Sequence, residues 1–247
     1  MTRRLQHVFF DATDTLVRVR GCVGDIYARL AALHGLEAPS DEIEQSFQAA
    51  LPAVPQDVAP GLAEDQIRTR ERDWWRQVAW RAMERFGPFP GFEGFFDEVF
   101  ETFRKRDAWE FVPEAPETLE TLLAQGRRLG IISGMDSRLY DVLAAFGIDH
   151  YFDVVCLSFR TGYSKPDTRL FEDALLRAGA TAGRSVHVGD SLTGDVQGAL
   201  DAGLTALYLD PEGHPGAPPA AHAIRKLSEI PPLLERLDER DEAAHYL

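Results

Sequence analysis

A chain of 247 residues with 45% apolar and 27% charged side chains suits one large domain, or a domain carrying a sizeable insertion. Its formal charge of −14 argues against nucleic acid or an anionic membrane as a partner, since both reward clusters of Lys and Arg. Two cysteines, Cys22 and Cys156, are too few for a disulfide framework, and each is expected as a small buried hydrophobe.

The first ten residues hold only the short apolar run Val8-Phe9-Phe10, which does not make a secretory leader. No apolar run approaches the roughly 18 residues of a membrane span, so a cytoplasmic protein is expected. Val8-Phe9-Phe10 reads instead as a first strand with Asp11 at its C-terminal tip. The stretch of about 20–110 reads as helices over 26–33, 41–50, 63–86 and 92–105. Pro52-Ala53-Val54-Pro55 and Gly87-Pro88-Phe89-Pro90-Gly91 punctuate it. Trp74, Trp75 and Trp80 lie on the third of these helices, and packing among themselves is the favoured role over a substrate-facing patch.

Beyond 110 the pattern alternates. Strands are expected over 127–133, 154–157, 185–188 and 204–209, and helices over 116–125, 137–146, 166–177 and 193–202. Gly126, Gly147, Gly179 and Gly203 follow these helices, as C-terminal caps do. The strands are continuously apolar, as expected of parallel strands covered on both faces. The fold class is therefore α/β, a doubly wound parallel sheet in which chemistry collects at the carboxyl ends of the strands. Segment 213–219 is a loop, 224–237 a last strand and helix, and 238–247 a charged tail with little burial. Residues 1–19 and 111–247 form the α/β core, and 20–110 form a helical cap over it.

Asp11, Ser133 and Asp190 fall at strand ends, and Lys165 precedes a helix in Ser164-Lys165-Pro166-Asp167. Taken singly, each has an ordinary role as a turn, cap or solvated residue. Taken in order, four segments resemble the signature of the haloacid dehalogenase superfamily: Asp11-Ala12-Thr13-Asp14-Thr15-Leu16, Ile131-Ile132-Ser133-Gly134, Ser164-Lys165-Pro166-Asp167, and Val188-Gly189-Asp190-Ser191-Leu192-Thr193-Gly194-Asp195. The resemblance is to the phosphatase-like branch, whose Rossmann-like core carries a helical cap after the first motif. The first motif is of the Asp-x-x-Asp-Thr-Leu variety.

That resemblance implies Asp11 as a nucleophile that takes up a phosphoryl group, with Lys165 neutralising nucleophile and phosphoryl oxygens. It implies Thr15, Ser133, Gly134 and Lys165 as contacts of a small phosphorylated metabolite. It also implies Mg2+ held by Asp11, the main-chain carbonyl of Thr13, Asp190 and Asp195, the last through water or by holding Lys165. Thr13 stands where most phosphatases of the family carry an acid/base aspartate, so slow turnover of alkyl phosphates is expected. Asp14 is the candidate replacement acid, set against a role as a turn carboxylate. His7, His34 and His187 form no ligand spacing, and His187 is expected as a packed core residue. Two other readings stay open. One is a low-turnover pseudo-phosphatase that binds a phosphorylated ligand or a protein, kept open by Thr13. The other is a 2-haloacid dehalogenase, set back by Gly189-Asp190, where such enzymes resemble Ser-Asn.

Overall fold

The computed structural model describes residues 5–244. Its first strand, β1 (His7–Phe10), is wholly buried. Val8 and Phe10 join one apolar cluster and Phe9 another, the alternation of a strand covered on both faces. A short strand, β2 (Val17–Val19), follows, then four helices: α1 (Val23–Leu33), α2 (Ser40–Ala53), α3 (Glu64–Met83) and α4 (Phe92–Thr102). The chain returns through β3 (Trp109–Phe111), which pairs antiparallel with β2. Arg18 and Glu110 form an ion pair across that ribbon. The ribbon brackets the helices and was not expected, because three-residue strands carry no readable periodicity.

Two further local expectations are corrected. α2 does not end before Pro52 but runs through it to Ala53. Ile43, Phe47 and Ala50 hold its buried face, and one hydrogen bond lost in a final turn costs less than unpacking them. Cys22 is only partly buried, and its sulfur accepts the Asp25 amide at the start of α1, whereas Cys156 is buried as expected.

The α/β part continues with α5 (Ala115–Ala124), β4 (Arg128–Ser133), α6 (Arg138–Phe146), β5 (Phe152–Leu157), α7 (Ser158–Thr161) and α8 (Thr168–Ala178). Then come β6 (Ser185–Gly189), a π-helical turn (Leu192–Gln197) running into α9 (Gly198–Asp201), β7 (Thr205–Leu209), β8 (His222–Ile224) and α10 (Ile230–Ala244). Six strands form one parallel sheet in the order β5-β4-β1-β6-β7-β8. The winding reverses at β1, which lies between β4 and β6, so the carboxyl ends of these three strands open into a crevice. Gly147 and Gly179 close α6 and α8 in the left-handed conformation, with φ of 72° and 62°.

The charged C-terminal tail is the larger correction. Residues up to 244 continue α10, and 245–247 lie outside the described residues. Asp238 accepts the Leu5 amide at 3.0 Å and the Arg127 guanidinium at 2.8 Å. Arg127 also donates to the Leu5 carbonyl. The side chain of Arg127 is fully buried, and a buried guanidinium demands such partners. No helix among the described residues is long and apolar enough to cross a membrane.

Candidate active site

The reversal at β1 brings the nominated residues together. Asp11 follows β1, Ser133 ends β4, Asp190 follows β6, and Lys165 reaches in from the loop between α7 and α8. Lys165 Nζ lies 2.6 Å from Asp11 Oδ1 and 2.5 Å from Asp195 Oδ1. The π-helical turn swings Asp195 back toward the end of β6. The Asp195 amide donates to the Ser191 carbonyl, and Asp195 Oδ2 accepts the Ser191 amide at 3.1 Å. Gly189 is required there: a Cβ on it would meet the Asp195 carboxyl carbon at 2.2 Å.

His187 is the packed core residue expected, with a contact the sequence did not show. It is buried, and its Nε2 lies 2.8 Å from Asp195 Oδ1, so it braces the acid that braces Lys165. The signal was its place two residues before Gly189, on the strand face toward which Asp195 folds back. Spacing alone does not reveal that fold-back. Gln56 was also missed. From the loop after α2, its amide donates to the Gly134 carbonyl at 2.8 Å and accepts the Ser164 hydroxyl at 2.9 Å.

The turn after β1 is held by the Leu16 and Val17 amides, both donating to the Ala12 carbonyl. Asp14 sits in the left-handed region at φ 60°, which aspartate tolerates better than most residues. Its carboxylate lines the crevice with Asp11. Thr15 is fully buried and its hydroxyl donates to Asp190 Oδ1 at 3.3 Å. The nearest polar neighbour of the Thr13 hydroxyl is Met135 Sδ, at 3.9 Å. Ser133 Oγ accepts the Met135 amide at 3.2 Å, and Gly134 faces open space.

Four carboxylates meet one ammonium, and the balance shows in their acidities. Burial raises the Asp11 pKa, opposed by Lys165. Burial, then Asp11, raises that of Asp14. Asp190 is pushed up to about 7, by desolvation first and then by Asp11, Asp195 and Asp14. Asp195 is the exception: burial opposes its charge, but Lys165 and His187 outweigh it and hold the pKa below the usual range. Burial likewise works against the Lys165 ammonium, yet Asp11 and Asp195 outweigh it and raise its pKa.

The donor set fits a hard divalent cation. Asp11, Asp190 and Asp195 each offer an oxygen, all within 4.8 Å of one another. Among the described residues no backbone amide donates to the Thr13 carbonyl, which leaves that oxygen available. Few carboxylates with room for water are what magnesium prefers. Asp195, with both oxygens taken by protein donors, suits bracing Lys165 better than direct ligation.

From these acids a cavity of about 470 Å³ extends between α1, α2, α3 and α4. Beside the Gln56 contacts, others tie the helical segment to the α/β part around it. Glu71 accepts both the amide and the hydroxyl of Ser137, Glu64 pairs with Arg160, and Arg138 donates to the Phe100 carbonyl. Trp74 is buried, with its indole donating to the Val54 carbonyl, and Trp80 is 44% exposed. Trp74 and Trp75 both line the cavity, so the tryptophans do not form one separate cluster.

A model of the haloacid dehalogenase-like hydrolases matches residues 5–203. The chain is 31% identical to haloacid dehalogenase-like hydrolase domain-containing protein 3 of Mus musculus, with 96% of this chain and 98% of that protein covered. It is 32% identical to glyceraldehyde 3-phosphate phosphatase of Methanothermobacter thermautotrophicus, with 84% and 87% covered. Its fold is similar to the crystal structure of a phosphatase of the same superfamily from Thermococcus onnurineus, with a TM-score of 0.65, 25% identity and coverage of 93% and 97%.

Proposed function

Because the chain belongs to the haloacid dehalogenase-like hydrolases, we propose that it is a magnesium-dependent phosphatase acting through an aspartyl-phosphate on Asp11. The observation that carries this is Lys165, held between Asp11 and Asp195 beside the unbalanced carboxylate of Asp190. A lysine-neutralised carboxylate at a strand tip is poised to attack phosphorus, and covalent catalysis splits one hard displacement into two easier ones. The ion would be held by Asp11, Asp190 and the Thr13 carbonyl; when bound, it lets an anionic nucleophile approach an anionic ester. Lys165 and the hydroxyl and amide groups at Ser133-Gly134 would hold the phosphoryl oxygens, with Thr15 bracing Asp190. Residues 20–110 would act as a cap on the core of 1–19 and 111–247, with Gln56 and Glu71 as its closing contacts. The setting would be the cytoplasm and the substrate a small phosphorylated metabolite.

Thr13 favours a second reading, a low-turnover binder of phosphorylated ligands, since its hydroxyl offers no acid at neutral pH. A dehalogenase is disfavoured because such a reaction needs no metal, and four clustered carboxylates repel one another without one. The deciding experiment assays acetyl phosphate and a panel of phosphorylated metabolites with and without magnesium, and traps Asp11 as a phosphoryl adduct. Turnover that needs magnesium and Asp11 supports the phosphatase. Tight binding of beryllium fluoride with no turnover supports the binder, and halide release from 2-haloacids supports the dehalogenase.

A further inference from the structure

Within that phosphatase reading, we infer that the substrate is a phosphate ester of an aromatic alcohol, whose ring system occupies the cavity between the helices. The cavity walls are aromatic: Tyr27, Phe47, Trp74, Trp75, Phe96 and Phe100. Tyr27 packs edge-to-face on Phe47 at 5.6 Å and Trp74 on Trp75 at 4.6 Å, while Arg138 lies over Trp75 and Phe100 and Arg72 over Phe96. The result is a continuous aromatic wall that suits a flat apolar guest. The volume of about 470 Å³ falls in the range of small-molecule sites.

The polar groups in this wall narrow the choice. Arg138 is consumed by Asp136 and the Phe100 carbonyl, and Arg18 by Glu110. Glu44 accepts from the Gly24 amide and from Gln48. No uncommitted cation therefore remains in the lining for a second anionic group beyond the one Lys165 faces, and there are too few free donors for a polyol. The Tyr27 hydroxyl lies in this wall with no hydrogen bond to another described residue. It suits one oxygen on the guest's ring system.

The chemistry agrees independently. Asp11 attacks phosphorus, the bond from phosphorus to the aryl oxygen breaks, and the aryl oxide leaves with the electron pair and takes a proton from solvent. Water then cleaves the aspartyl-phosphate, restoring the Asp11 carboxylate and releasing dihydrogen phosphate. An aryl oxide is the base of an acid of pKa about 10, whereas an alkoxide resembles hydroxide, whose parent acid lies at about 15.7. Only the former leaves readily without the acid that Thr13 lacks.

The test compares kcat/KM for phenyl, 2-naphthyl and 6-hydroxy-2-naphthyl phosphate with that for glyceraldehyde 3-phosphate, with acetyl phosphate as a small reference. The second ring should raise kcat/KM at least about tenfold over phenyl phosphate, and the distal hydroxyl about fivefold more. Tyr27→Phe should erase most of that distal-hydroxyl ratio, read within the folded variant. Equal rates for phenyl and naphthyl esters, a preference for glyceraldehyde 3-phosphate, or a distal-hydroxyl ratio that survives Tyr27→Phe would overturn the assignment. In those cases acetyl phosphate turnover leaves the phosphatase reading standing. Loss of acetyl phosphate turnover together with no trapped Asp11 adduct overturns both.

Discussion

Lys165, with 12% of its side chain exposed, and the buried Arg138 are cations bordering the same cavity, and their surroundings differ in balance. Arg138 has one buried acid, Asp136, bound through Nε and Nη2 at 2.9 and 2.6 Å, a carbonyl at 3.1 Å, and the Phe100 ring 4.0 Å beneath it. Charge, donors and packing all close on themselves. Lys165 instead faces Asp11 and Asp195, with Asp190 and Asp14 behind them. The excess of acid there stabilises nothing in the chain alone. An uncompensated cluster, with Asp11 and Asp195 buried and Asp14 and Asp190 open to solvent, is what a bound cation and a transferred phosphoryl group can complete, whereas a closed pair is architecture.

The sharpest way to break that contrast is to remove each cation. Lys165→Met should lower turnover about 10²–10³-fold, the range for a lost electrostatic stabiliser, while the protein still melts cooperatively. Arg138→Met should instead cost about 3–5 kcal/mol of stability, the penalty for stranding a buried charge such as Asp136. The double variant with Asp136→Leu should recover most of it in a denaturant titration. A similar stability loss in both single variants would erase the distinction.

Asp190 tests the excess of acid directly. Asp190→Asn should weaken magnesium binding, read by calorimetry with beryllium fluoride, by about 100-fold. In the wild type, protons and ion compete for a carboxylate with a pKa of about 7. Affinity should therefore fall about tenfold per unit below pH 7 and level off above it. The stability sign is opposite to that of an ion-paired acid. The folded pKa lies above the usual 3.8, so the metal-free fold is stabilised on the acid side and loses that stabilisation as pH rises through about 7. Asp190→Asn should flatten this trend in thermal melts.

How much of this was legible in sequence follows the same division. The strand-tip positions of Asp11, Ser133 and Asp190 could be read locally, as a polar residue after an apolar run, but their roles were legible only from the resemblance of four segments taken in order. The parallel sheet was legible from the same apolar runs. Gln56 and Glu71 were not, because their partners Gly134, Ser164 and Ser137 lie across the fold and no local pattern marks them. Asp238 looked like tail charge until Arg127 and Leu5 were seen to need it. Contacts that close a structure depend on tertiary geometry, whereas the positions of residues that open a site follow from the local pattern.

Thr13 bears on the open side of the contrast. Thr13→Asp should raise alkyl phosphate turnover at least about tenfold, the low end of general acid–base assistance. Asp14 lines the same cavity and its pKa is raised by burial and by Asp11, so it is the competing acid. If Thr13→Asp is no faster and Asp14→Asn abolishes turnover, Asp14 holds that role.

The smallest expected effect concerns His187, which belongs to both sides: buried like Arg138, yet bonded to the site. Asp195 is ionised, so the histidine nitrogen facing it at 2.8 Å must carry the proton. The other ring nitrogen, Nδ1, is buried without a partner, so the hydrogen bond that the ring makes is the one to Asp195. Asp195 keeps Lys165 and the Ser191 amide when that donor is lost. His187→Leu should therefore lower kcat only about fivefold, the worth of roughly one hydrogen bond, with KM little changed. His187→Gln, which retains a donor, should restore part of it. Because Lys165 and His187 together outweigh burial and depress the Asp195 pKa, Asp195 stabilises the fold above pH 3.8 and loses that contribution as pH falls below it. His187→Leu should move acid unfolding to higher pH, and His187→Gln should move it less. Equal losses in both variants would mean the ring only fills space against Phe171, with which it makes a T-shaped contact at 5.2 Å between centroids.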